Sequence, residues 1–234
     1  MDRSRHMAQE GDNMATQTSA RGRKPSLSRE KIVQRTLELL AELPPDQFSL
    51  RRLAQSLGIT PAALYAYFSG QEELLKAAAM EVANGIDLSG IDEAGPWRDN
   101  LQRWAQAVRA RYLQYPHIAL LMQMSPYVPP GWFRVILPVL RLLRASGLRD
   151  EALLVAFKSF IRGVAGLVMV ELQHDAVVSP VHRQDARDAL TALSEGDRRQ
   201  LEELLPRLGP DNSEELFNQT VEVLLEGIAV RTRG

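Results

Sequence analysis

Residues 48–75, FSLRRLAQSLGITPAALYAYFSGQEELL, decide the fold. Leu50, Leu53, Ala54 and Leu57 follow i, i+3, i+4, i+7 spacing and form one face of a short helix, with Ser49 available as its N-cap. Gly58 supplies the left-handed backbone that ends this helix at low cost. Thr60 is placed to cap the next helix, and Pro61 takes its first position, where a missing N–H costs nothing. Leu64 and Phe68 give that second helix a narrow buried face, which leaves Pro61, Ala62, Ala63, Tyr65, Ala66 and Tyr67 on the other side. That surface has no charge to hold a phosphate backbone away. A helix-turn-helix lays its second helix in a DNA major groove while the first crosses the backbone.

A short helix, a glycine and another short helix also occur in many helical proteins without any DNA role. The flanking sequence narrows the choice. Residues 28–43 predict a preceding helix capped by Ser28, with Ile32, Val33, Thr36, Leu37 and Leu40 on its buried side. Three helices sharing one core make a small independent module, assigned to residues 26–71.

This module resembles that of the TetR-type transcriptional repressors. The similarity lies in the basic arm before the first helix, the FSLRRLAQSLGIT segment, the LYAYF run and the EELL that opens a fourth helix, over about Lys31 to Met80. The resemblance implies that Thr60, Pro61, Ala62, Ala63, Tyr65 and Tyr67 face DNA, with Thr60, Tyr65 and Tyr67 on phosphates and the small residues near base edges. Arg23, Lys24, Ser49 and Gln71 join them on the expected DNA-binding surface. At Gln71 the chain departs from the family, which usually carries lysine there. The backbone amides at that helix start remain available to a phosphate.

Charge distribution points the same way. The chain has 28 Lys+Arg against 29 Asp+Glu, a formal net charge of −1, which argues against indiscriminate nucleic-acid binding. Arg21, Arg23, Lys24, Arg29, Lys31, Arg35, Arg51 and Arg52 crowd the N-terminal part, whereas acidic residues dominate from Glu171 onward. A basic footprint at one end of a neutral chain fits a specific binder of double-stranded DNA. Residues 1–25 are expected to be a disordered basic arm, its first seven an expression remnant, that reaches phosphates or a minor groove when bound.

With 234 residues, 45% of them hydrophobic, the chain can bury one large core or two modest ones. It has no cysteine, which excludes disulfides and thiolate metal sites. The polar N-terminal sequence shows no signal peptide, and the longest apolar stretch, Leu153 to Leu172, carries Lys158, Arg162 and Glu171. A cytoplasmic protein without a membrane span is expected.

Beyond the module every segment reads as helix. The pattern predicts helices at 72–83, 97–115, 117–124, 132–145 with a bend near Pro138, 150–172, around 184–193, near 197–205 and at 214–230. Gly85 to Pro96 reads as a connector and Ser125 to Gly131 as a proline-rich break. No stretch alternates with strand period, so the expected fold is all-α: the three-helix module followed by a larger helical bundle at 72–234 for ligand binding and dimerisation.

The 150–172 helix is apolar around most of its circumference and must be covered on two sides. One side meets its own domain, and the other is expected to meet a second copy of the chain. Phe160, Gly163 and Leu167, with Phe217, Val221 and Leu224 of the last helix, are the expected homodimer contacts in a four-helix bundle, as TetR-like proteins typically dimerise. Two central helices of a monomeric bundle would give the same pattern.

Trp104, Met122, Met124, Tyr127, Trp132, Phe133, Phe157 and Met169 are large, soft residues expected to border an internal cavity for a small-molecule effector, apolar or amphipathic. Such side chains are also the usual filling of a helical core. Arg109, His117, Gln123 and Arg162 are candidate polar anchors. His174, Asp175 and His182 match no helical metal-ligand spacing, and no metal or cofactor is expected. Enzymatic motifs such as GxSxG, a P-loop, a Rossmann fingerprint or HExxH do not occur. The remaining rival to a DNA-binding regulator is a ligand-binding helical dimer acting as an adaptor or sensor.

Overall fold

The structure, a computed structural model, describes residues 27–43, 45–118, 130–177, 189–204 and 213–232. These residues form helices and turns without a strand. In chain order the helices are α1 (Arg29–Glu42), α2 (Leu50–Leu57), α3 (Pro61–Leu64), α4 (Gln71–Asn84), α5 (Trp97–Gln114), α6 (Gly131–Ala145), α7 (Asp150–Val177), α8 (Glu195–Leu204) and α9 (Ser213–Arg231).

The caps sit where local chemistry puts them. Ser28, Ser49 and Thr60 each accept a hydrogen bond from the backbone N–H three residues on, at 3.3, 3.2 and 3.3 Å. Gly58 stops α2 at φ 66°, and its N–H and that of Ile59 return to carbonyls of the last turn. Gly147 does similar work after α6 at φ 101°. The helix α6 runs on through Pro138, and α7 continues past the expected Leu172 to Val177, since helix propagation needs no apolar residue once a long helix is nucleated.

Two cores result. The first joins α1–α4 through Ile32, Leu37, Leu40, Leu53, Leu64, Phe68, Leu74, Ala78 and Val82, all at most 3% exposed. Each such aliphatic side chain contributes roughly 1.5–3 kcal/mol by leaving water. This core takes in most of the buried face of α4, past the boundary at residue 71, because Leu74, Ala78 and Val82 are the stripe that closes it. It also takes in Ile118, just beyond the end of α5 and 1% exposed. The second core joins α5, α6, α7 and α9 around Trp104, Val135, Val139, Phe160, Val164, Val221 and Leu225. Tyr112 packs against both.

The expected dimer contacts need correction. Phe160 and Val221 are completely buried and Phe217 is 3% exposed within a single chain. A Cβ on Gly163 would lie 2.6 Å from Leu224 Cδ1, so this glycine lets α9 approach α7 of the same chain. Leu167 packs on the second core as well. Composition showed that α7 and α9 are apolar on two sides but not which side faces inward. The outward side carries Leu154, Ala165, Gly166 and Val170 on α7, and on α9 the heptad-spaced Leu216, Val223 and Val230, 50, 65 and 71% exposed.

Candidate nucleic-acid interface and effector site

The outer face of the first unit is built by α2, the turn and α3. Pro61, Ala62, Tyr65 and Ala66 are exposed, Ala63 is half-buried, and Tyr65 is 58% exposed. The helix α3 is one turn long, and Tyr65 to Tyr67 continue it as turns, with Phe68 N–H still donating to Leu64 O at 3.0 Å. The caps use one lone pair of Ser49 and of Thr60, so both hydroxyl hydrogens stay free to donate to a phosphate. Gln71 is exposed at the first position of α4, whose N-cap Gly70 makes no side-chain cap hydrogen bond. Arg23 and Lys24 lie outside the described residues.

Tyr67 departs from expectation. It is half-buried against the first core and its hydroxyl donates to the Leu27 carbonyl at 3.0 Å. With Leu64 and Phe68 fixing the rotation of the segment, residue 67 turns toward α1, and the phenol proton is committed within the protein rather than to a phosphate. Arg29, counted in the basic footprint, is similarly engaged: it donates to Tyr67 O at 2.5 Å and Glu73 Oε1 at 2.7 Å, with its guanidinium 4.1 Å from the Phe68 ring centre. Glu73 also accepts from Ser69 N–H and Oγ at 2.7 and 2.8 Å. The Ser69 amide, with Arg29 and the Ser69 hydroxyl behind it, holds the Glu73 carboxyl down at about 2. No capping-box pattern announces this brace, because Ser69 stands four residues before Glu73 rather than three and the N-cap position is Gly70.

Of the aromatic residues expected near an effector, Trp104, Trp132 and Phe157 all pack on the second core. Trp104 is 1% exposed and donates from Nε1 to Val135 O at 2.6 Å. Its ring lies 6.3 Å from Trp132 and 5.7 Å from Phe160, and Trp132 meets Tyr112 edge-on at 6.4 Å. Burial pushes the Tyr112 phenol up to about 12, so it remains a neutral donor. Phe157 is half-buried against the same core.

Three other assignments are overturned. Phe133, one residue from Trp132 and therefore about 100° around the helix, is 64% exposed. Arg162 is exposed on the outer side of α7. His117 does not face the aromatic cluster: its Nδ1–H donates to Leu40 O of α1 at 2.5 Å, satisfying a carbonyl in the last turn of that helix. Arg109 forms a bidentate pair with Glu171 at 2.8 and 2.5 Å, largely buried, and this pairing raises its pKa. Met122, Tyr127, Gln123, Met124 and His182 lie outside the described residues. A separate open groove of about 360 Å³ has a mixed lining, with Gly85, Ala107 and Ala110 beside Asp87, Gln106, Arg111 and Gln114.

A capped helix-turn-helix with a charge-poor outer face, on a larger helical unit with an aromatic cluster, defines a helix-turn-helix regulator with a second helical domain. Comparison with known proteins gives the particular kind. The model described as "Tetracyclin repressor-like, C-terminal domain" matches residues 90–232, and "Bacterial regulatory proteins, tetR family" matches residues 32–78. The chain belongs to the TetR family of transcriptional regulators. It is similar to the HTH-type transcriptional repressor DrrR1 of Streptomyces coeruleorubidus, 29% identical over 137 residues; the match takes in 58% of this chain and about half, 51%, of that repressor's length. Similarity to Tetracycline repressor protein class D of Escherichia coli extends over 206 residues at 27% identity, 88% of this chain and 90% of that one. A crystal structure of a possible TetR family transcriptional regulator from Streptomyces coelicolor A3(2) matches with a TM-score of 0.73 and 27% identity, over 87% of this chain and 99% of the other.

Proposed function

We propose that the chain is a cytoplasmic repressor that binds a pseudo-palindromic double-stranded DNA operator as a homodimer and leaves it when a small apolar or amphipathic effector binds the second unit. The observation that carries this reading is the pairing of two surfaces: an exposed face of Pro61, Ala62, Ala63, Tyr65 and Ala66 held by caps at both ends of the turn, and an apolar stripe on α7 and α9. Thr60, Tyr65, Ser49 and the amides behind Gln71 contact phosphates, Arg23 and Lys24 extend the contact along the backbone, and the alanines meet base edges. Trp104, Trp132 and Phe157 border the effector.

By length and composition Asp150–Leu172 could cross a membrane. Lys158 and Arg162 are exposed in its middle, where hydrocarbon would leave both unpaired. A second copy of the chain meets the apolar positions of α7 and α9, with Lys158 and Arg162 on the same outward side of α7.

Dimerisation supplies the mechanism. Two recognition helices read successive major grooves when about 34 Å apart, and a change of a few ångströms weakens both contacts. An effector that shifts the population from 99% competent to 99% incompetent needs about 5.5 kcal/mol of differential affinity. Fluorescence-anisotropy titration against palindromic and scrambled DNA at several salt concentrations tests the reading. Tight, palindrome-dependent binding that weakens steeply with salt is expected. Micromolar binding to every sequence at physiological salt would instead favour a sensor that does not act on DNA.

A further inference from the structure

The recognition segment is too short to fix its own orientation. Its helix α3 has four residues, and beyond it the N–H groups of Tyr67 and Phe68 both return to Leu64 O, at 2.9 and 3.0 Å. One helical turn has no self-supporting ladder of hydrogen bonds, so its direction is set by what grips its ends. Thr60 caps the start. The end is gripped by a single side chain of α1. Arg29 Nη1 donates to Tyr67 O, Nη2 donates to Glu73 Oε1 at 2.7 Å, and the guanidinium lies 4.1 Å from the centre of the Phe68 ring. The other carboxylate oxygen of Glu73 accepts from the N–H and hydroxyl of Ser69. Residues 67, 68 and 69 are therefore held in succession between α1 and the start of α4.

Two features separate this arrangement from a stabilising ion pair and from a DNA contact. The Arg29 and Glu73 side chains are 46 and 39% exposed, and pairs this open to water contribute little to folding. The guanidinium is also already matched by a carboxylate, so turning it toward a phosphate would leave Glu73 unpaired beside the same phosphate. What remains is geometry. Tyr65, 58% exposed, stands two residues before the gripped carbonyl. We propose that Arg29 is a positioning residue for operator recognition: paired with Glu73, it sets the orientation in which Tyr65 and the alanines of the recognition segment meet DNA, and it makes no phosphate contact of its own. This rests on the operator-binding reading above.

The test uses the full chain and a double-stranded DNA that it selects from a random pool. Affinities for that site and for a scrambled one are measured at several salt concentrations for wild type, Arg29→Gln, Glu73→Gln and the double variant. Each single variant is expected to lower the ratio of selected to scrambled affinity by about tenfold, the scale of one misread base pair. The double variant should lose little more, because both residues act through one brace, and the salt dependence should match wild type in all three. An Arg29 that contacts phosphate directly would instead flatten the slope of log affinity against log salt by about two per dimer in Arg29→Gln, and Glu73→Gln would tighten binding to both DNAs. That pattern, additive losses, or a wild-type ratio in the folded single variants would overturn the proposal. If Arg29→Gln does not fold, Glu73→Gln alone decides by the same ratio and slope; if neither folds, the pair is structural and the proposal falls. Failure of the wild-type chain to select any DNA would overturn the operator-binding reading, and the proposal with it.

Discussion

Replacing Val223 by aspartate separates the dimer surface from the folded core. Val223 is 65% exposed in the single chain and lies midway between Leu216 and Val230, which are 14 residues apart on α9. At 1.5 Å per residue these three positions form a stripe about 21 Å long. Completing the burial of a valine that retains two thirds of its exposure is worth about 1 kcal/mol, and the twofold symmetry doubles it to about 2 kcal/mol. Two unpaired carboxylates held in the same interface add several kcal/mol of desolvation. A total of at least about 4 kcal/mol weakens dimerisation about a thousandfold. Folding of the single chain should change by no more than about 0.5 kcal/mol, since the side chain already faces water there. Sedimentation velocity at micromolar concentration, with circular dichroism as a check on helix content, should show a folded monomer, and sequence-specific DNA binding should fall with it. A dimer that persists with wild-type affinity would refute the assignment of this face.

Phe160 gives the contrasting case: it is fully buried against Trp104, so Phe160→Ala should cost about 3–5 kcal/mol of stability by thermal or denaturant unfolding, and Phe160→Arg should unfold the second unit rather than split a folded dimer. Tyr65→Ala should weaken operator binding with a thermal midpoint close to wild type. Tyr67→Phe should instead cost about 1 kcal/mol of stability by deleting the bond to Leu27. Glu73 should remain ionised in carbon-detected NMR titrations down to about pH 2. Because its folded value is depressed from an ordinary 4.5, its contribution is complete above that value and is lost as pH falls toward about 2. Glu73→Gln should lose that part of the acid dependence, and an unchanged acid limb would remove the brace from the account.

The local parts of this fold were legible because single residues determine them. Ser28, Ser49, Gly58, Thr60 and Pro61 each have one favourable use at a helix end, and all five serve it. The periodicity of α1 and α2 likewise fixed their buried faces. Rotation of a helix with apolar residues on two sides was not legible: α7 gives Phe160 and Val170 equal standing by composition, and only packing against α5 and α9 makes the first interior and the second exterior. Long polar side chains were misread for a related reason. Arg109 and His117, expected as polar anchors, find partners 62 and 77 residues away, and no local pattern announces Glu171 or a helix-end carbonyl as the acceptor. Tyr67 is intermediate, since its place in LYAYF suggested DNA while a one-turn α3 rotates it toward Leu27.

The central claim is that two copies of this chain hold their recognition helices one DNA turn apart. Selection of bound sequences from a random double-stranded pool, followed by sedimentation of the complex, tests it most directly. The account predicts inverted repeats with half-site centres separated by one turn, about 10 base pairs, or a multiple of it, and two chains on each site. Enrichment of a single half-site bound by one chain, or of no shared sequence, would contradict it.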